Sequence, residues 1–86
     1  MTDAPTELEA MDILSAQKQI QGLLEQGMKM LAVGQTIEID GELCAIIAIG
    51  TDHSEQFVSE YQYAVSKSYM IYKYDPITDV WLDIYS

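Results

Sequence analysis

The densest run of reactive side chains is Asp52-His53-Ser54-Glu55, where an acid, an imidazole, a hydroxyl and a second acid stand in succession. In catalytic terms His53 would be the general base, an acid would orient it, and Ser54 would be the nucleophile. Such triads need side chains carried to one point by separate elements, whereas four consecutive loop residues point apart. The chain has one histidine and one cysteine, and neither stands at a zinc-ligand spacing. Asp40-Gly41-Glu42 lacks the flanking ligands of a calcium loop. Gly22 and Gly27 lack the lysine and hydroxyl residue that complete a phosphate loop. The residues therefore predict no enzyme, no metal site and no cofactor.

Charge excludes further classes. Fourteen Asp and Glu face four lysines and no arginine, a formal net charge of −10 over 86 residues. A surface of that sign repels nucleic acid, anionic lipid and nucleotide phosphates. Without arginine the chain also lacks the planar fork that grips phosphate in two places. Direct nucleic-acid binding and membrane binding are not expected; the complementary partner is a protein with a basic surface. Glu38 and Asp40 alternate along one predicted strand, and Glu42 opens the next. Alternate strand side chains recur every ~6.6 Å, whereas duplex DNA carries one charge per ~1.7 Å. Imitating DNA would therefore require acids from several elements on one face.

The aromatic residues are the second contact feature. There are six tyrosines, with Trp81 and Phe57. Tyr72 and Tyr74 share one face of a predicted strand, and Trp81 lies on the strand that follows the next turn. Paired, they form a cross-strand aromatic cluster, either a core or an exposed platform of the kind that anchors interfaces. Glu38, Asp40, Glu42, Tyr72, Tyr74 and Trp81 are the expected partner-binding residues. The expected function is that of a small acidic, non-enzymatic protein-binding module. It would be an inhibitor of the type encoded by bacteriophages and mobile elements, occluding a basic nucleic-acid-binding surface. The alternatives are an accessory subunit that forms a homodimer or larger assembly through its helix, and an immunity-type protein that neutralises a toxin.

The elements that must position these residues follow from periodicity. Residues 1–5 are a predicted flexible tail. Thr6 and Glu9 form a capping-box pattern, and Glu7, Glu9 and Asp12 suit the positive end of a helix. Ala10, Ile13, Leu14, Ala16, Ile20, Leu23 and Leu24 recur at steps of three and four, one apolar stripe on a helix over residues 6–27. Gly27 is the expected helix terminator, although Met28, Met30 and Leu31 would suit a longer helix and its pairing with a second copy. Residues 36–40 alternate as a half-buried strand, and Asp40-Gly41 predicts a hairpin. Residues 42–49 are apolar on both faces, a strand inside the sheet with Cys44 as a buried small hydrophobe. Residues 50–55 are a predicted loop. Strands follow over 57–65 and 68–74, with a bend at 66–68. Asp75-Pro76-Ile77-Thr78-Asp79 is a second hairpin turn, with Asp79 in the left-handed position. The last strand covers 80–85. The sum is an α+β fold in one domain, residues 1–86: an N-terminal amphipathic helix on a four- to five-stranded, strongly twisted antiparallel sheet or small open barrel over residues 35–86.

Two segments resemble known hairpins. Residues 33–41, Val33 to Gly41, resemble the opening hairpin of many small bacterial β-barrel domains, SH3-like ones among them. Residues 72–81 resemble a common bacterial hairpin of the form Tyr-Asp-Pro-x-Thr-Gly-x-Trp, with Asp79 in the glycine slot. Both imply a fold class and no chemistry. The single cysteine excludes an internal disulfide framework. The N-terminal residues carry no basic and apolar regions of a signal peptide, and the longest apolar run, 43–49, falls far short of the ~20 residues that span a bilayer. A cytoplasmic location is expected.

Overall fold

Residues 4–53 and 56–85 are described by a computed structural model. Two helices, α1 (Glu7–Ser15) and α2 (Lys18–Glu25), precede five strands: β1 (Lys29–Ile39), β2 (Glu42–His53), β3 (Gln56–Ser66), β4 (Ile71–Asp75) and β5 (Val80–Asp83). The strands form one antiparallel sheet in chain order, with β1 and β5 at its two edges. The class is α+β, as the periodicity predicts.

Helix α1 starts as its capping box requires. The Thr6 hydroxyl accepts from the Glu9 amide at 3.2 Å, and the Glu9 carboxylate accepts from the Thr6 amide at 3.0 Å. Pro5, expected in a loose tail, is buried; residues 1–3 of that expected tail lie outside the described residues. The single predicted rod is in fact two helices, because Gln17 adopts an extended conformation (φ −85°, ψ 134°). The reason lies in the stripe itself. At 100° per residue, Leu14 and Ile20 would stand about 120° apart on one straight helix. The break turns α2 so that both side chains are fully buried on the same sheet face. Gly27 ends α2 as predicted, at φ +96°. Met28 N donates to Leu23 O at 3.2 Å and Gly27 N donates to Leu24 O at 3.0 Å, the paired bonds of a Schellman stop.

The sheet begins at Lys29, six residues before the predicted boundary. Met30 and Ala32 turn inward while Leu31 and Val33 remain exposed, a period of two that good helix formers conceal. Between the pairs Ala32↔Ile47 and Thr36↔Ala45, three residues of β1 oppose one of β2, with Gly34 at φ +78°. An excess of two preserves the alternation, so even-numbered β1 residues face the helices along the whole strand. Asp40 and Gly41 take positive φ values of 52° and 79° between Ile39↔Glu42, the predicted two-residue hairpin.

The predicted loop at 50–55 is a correction. Residues 50–53 continue β2, paired as Gly50↔Ser59, Thr51↔Val58, Asp52↔Phe57 and His53↔Gln56; Ser54 and Glu55 lie outside the described residues. Gly50 marks a bulge rather than a loop. Tyr61 pairs with Ile49 and Ser59 with Gly50, leaving Glu60 as the extra residue of β3. A Cβ on Gly50 would stand 1.9 Å from the Val58 carbonyl oxygen, so only glycine admits the bulged backbone.

The helices cover one sheet face. There Ala10, Leu14 and Ile20 pack with Ala45, Ile47, Ile49, Tyr63, Val65 and Ile71. A second, smaller cluster of Cys44, Ala64 and Tyr72 occupies the other face, bordered by Ile37, Ile39, Met70 and Trp81 and by no helix residue.

Candidate functional site

Tyr72 is the centre of the candidate site. It stands on β4 opposite Asp83 of β5, and the next pair on the same face is Tyr74↔Trp81. The Tyr74 and Trp81 rings lie 5.1 Å apart, tilted by 52°, a favourable edge-to-face geometry. Tyr72 is buried, whereas Tyr74 and Trp81 are half-buried and reach the surface. The cluster is thus buried at one end and partly exposed at the other.

Carboxylates gather at the core end. Burial pushes the Tyr72 phenol above its ordinary pKa, and Asp40, the Cys44 thiol, Asp83 and Glu42 push it further. Of these acids Asp83 is the direct cross-strand neighbour of Tyr72, and Glu42 stands two residues before Cys44, which packs in the same cluster as Tyr72. The hairpin turn carries Asp40, the first residue of β2 is Glu42, and Asp83 ends β5. Glu42 is held in place because Ser68 Oγ lies 2.8 and 3.0 Å from its two oxygens. Ser68 in turn lies 2.9 Å from the hydroxyl of the fully buried Ser66, which also accepts from the Met70 amide at 3.1 Å.

Of the six residues predicted to bind a partner, five come together: Asp40, Glu42, Tyr72, Tyr74 and Trp81. Glu38 does not join them. It pairs with Leu43 and, by the alternation of β1, stands on the helix side of the sheet. Asp83 belongs with the five and was missed, although it shares the parity of Trp81 on the last strand. The other missed neighbour is Asp79, whose carboxylate accepts a hydrogen bond from the Tyr74 hydroxyl. That bond raises the Tyr74 pKa, with lesser contributions from burial and from the Asp79 and Asp75 charges.

Of the residues read for catalysis and metal binding, the His53 side chain, Ser54 and Glu55 lie outside the described residues. The Asp52 carboxylate pairs with Lys29 Nζ at 2.8 Å on the surface. Cys44 is buried, and desolvation followed by the Glu42 charge pushes its thiol up to about 11, so it remains protonated and inert at neutral pH. Among the described residues no group of three or more histidine, cysteine or carboxylate side chains is placed to hold a metal ion. No helix among them is long and apolar enough to cross a membrane.

The chain matches no known protein family, no curated protein and no solved structure.

Proposed function

We propose that this chain is a non-enzymatic protein-binding module that docks through the helix-free face of its sheet onto a basic protein surface and blocks it. The observation that carries the reading is the half-buried Tyr74–Trp81 pair beside Tyr72 on a face no helix covers, with Asp83 opposite Tyr72 and the acidic Asp40-Gly41-Glu42 hairpin on the strands that border the same cluster. Acids at the rim of a site raise the encounter rate with a cationic surface, and desolvated aromatics slow release. A net charge of −10 suits that division of labour. A partner whose basic surface binds nucleic acid would lose that activity while covered, which makes the module an inhibitor of the phage or mobile-element kind acting in the cytoplasm. Neutralisation of a basic toxin would use the same chemistry. Dimerisation through the helix has no such support, because Ala10, Leu14 and Ile20 of the stripe are buried against the chain's own sheet and Ile13, Leu23 and Leu24 pack partly buried on the same core.

The test uses the immobilised chain to capture partners from extract, followed by association kinetics on the captured protein. The Asp40→Asn/Glu42→Gln double variant should slow association about tenfold at low salt, with the difference fading at high salt. Glu38→Gln, on the opposite face, should slow it less. An on-rate unchanged in the double variant and insensitive to salt would overturn the reading.

A further inference from the structure

A second feature lies where the sheet splits. Strand β3 has 11 residues but pairs with β4 only through Tyr63↔Lys73, Ala64↔Tyr72 and Val65↔Ile71. Beyond Lys73 the β4–β5 ladder continues by itself through Tyr74↔Trp81 and Asp75↔Val80. Were the β3–β4 register to continue, Gln62 would meet Tyr74 and Tyr61 would meet Asp75. Instead the hairpin leaves β3, and a cleft of about 540 Å³ opens between them toward the helix-bearing side, walled by Glu60, Tyr61, Tyr74, Asp75, Pro76 and Asp83 of the sheet with Gln19 of α2 beside them. A smaller hollow of about 210 Å³ shares Glu60, Tyr61, Tyr74 and Pro76 with it.

The walls have a definite chemistry. Glu60 is the extra residue of the bulge that Gly50 permits. Asp75 is held ionised by the Thr78 hydroxyl and then the Ile77 amide, which keep its carboxyl below the ordinary range. Two tyrosine rings and Pro76 supply apolar sides. Among the described residues the one cation in the wall is Lys73, whose Nζ lies 4.7 Å over the centre of the Tyr61 ring. That contact shows directly that this ring face accepts a cation. Three carboxylates against one lysine leave the cleft with an excess of negative charge, complementary to a further cation.

We propose that this cleft receives a basic side chain from an extended segment of the partner protein, its aliphatic stem against Tyr61 and Pro76 and its charged head between Glu60 and Asp75. The inference rests on the reading of the chain as a binder of basic proteins and specifies how one partner residue is held. Lys73 acts as a tethered competitor, occupying the Tyr61 ring and opposing a second positive charge. Removing it should therefore strengthen binding, an effect opposite in sign to the loss of a structural contact.

The test is a heteronuclear NMR titration of the whole chain with acetyl-Gly-Ser-Arg-Ser-Gly-amide and with the same peptide carrying citrulline, neutral and nearly isosteric, for arginine. The arginine peptide should give saturable shifts at Glu60, Tyr61, Tyr74 and Asp75, and the citrulline peptide none. Lys73→Met should tighten the complex about threefold and Glu60→Gln should weaken it about threefold, from the size of single exposed cation–aromatic and ion-pair contacts. Equal shifts with citrulline, shifts confined to Asp40 and Glu42, or an affinity unmoved by Lys73→Met would overturn the proposal. The Asp40→Asn/Glu42→Gln variant leaves Glu60 and Lys73 intact, so failure of the cleft and failure of the wider docking surface give separate results.

Discussion

The two faces of the sheet solve the same problem with different residues. On the helix side, Leu14 and Ile20 from above and Ile47, Ile49, Tyr63, Val65 and Ile71 from below are all fully buried. Large side chains meet large side chains across a closed interface. On the other side the fully buried members are the small Cys44 and Ala64, while Ile37, Ile39, Met70 and Trp81 surround them only partly buried. This face has no second layer, and its larger residues lean over its smaller ones. The covered face is therefore closed by large side chains except where the cleft opens at its β3–β5 end. The open face combines packing with exposed aromatic surface.

Substitution can test that contrast. Leu14→Ala should cost about 2–5 kcal/mol, since a fully enclosed site loses both transfer energy and packing. Trp81→Ala should cost less, about 1–2 kcal/mol, because the indole is already half in water. The reactivity of Cys44 should rank them in the reverse order. Trp81→Ala opens the cluster that shields the thiol, so its rate of alkylation under native conditions should rise, while Leu14→Ala should raise that rate only as far as global unfolding does. Equal rates for the two variants at matched stability would mean that the two faces do not open independently.

Gly50→Ala probes the link between the open face and the cleft. The new methyl would meet the Val58 carbonyl at 1.9 Å, so the bulge must shift at a cost of about 1–3 kcal/mol. Chemical-shift changes should concentrate at Ser59, Glu60 and Tyr61, with Tyr72 and Cys44 little moved. A variant with wild-type thermal stability would show that the backbone there yields freely.

How much of this was legible follows the range of the interactions. The capping box at Thr6 and Glu9, the Asp40-Gly41 hairpin and the left-handed Asp79 (φ 56°) depend on residues within five of one another, and sequence spacing specifies them. The break at Gln17 was not legible as a cap, because Gln17 makes no side-chain capping bond. Its cause is the demand that Leu14 and Ile20 reach one sheet face, a demand set by strands 30 residues further on. Gly50 carried a signal that was assigned to the wrong class: an isolated glycine within an apolar run marks a bulge as readily as a loop. For the candidate site, strand parity grouped Tyr72, Tyr74 and Trp81 but also placed Glu38 with Asp40. A turn residue at positive φ does not continue the alternation of the strand before it, so the parity that puts Glu38 on the helix side says nothing about Asp40.

The smallest expected effect lies in the 76–79 turn beyond β4, which carries the cleft wall. Both oxygens of Asp75 are engaged, one accepting from the Ile77 amide at 3.0 Å and the other from the Thr78 hydroxyl at 2.9 Å. These bonds favour the ionised carboxylate and hold its pKa below the ordinary value, the Thr78 contact contributing most. A carboxyl depressed in the folded state contributes stability that is present above its unfolded pKa and lost as pH falls through the folded one. The turn should therefore stay intact down to about pH 4, the ordinary aspartate range, and loosen only below it. The Ile77 amide resonance should titrate with a midpoint below about pH 4, the ordinary aspartate value, while the resonances of Leu14 and Ile47 on the covered face stay fixed. In Asp75→Asn the Ile77 step should vanish. A midpoint at the ordinary aspartate value would mean that the turn bonds do not persist in solution, and the cleft would lose one of its fixed carboxylates.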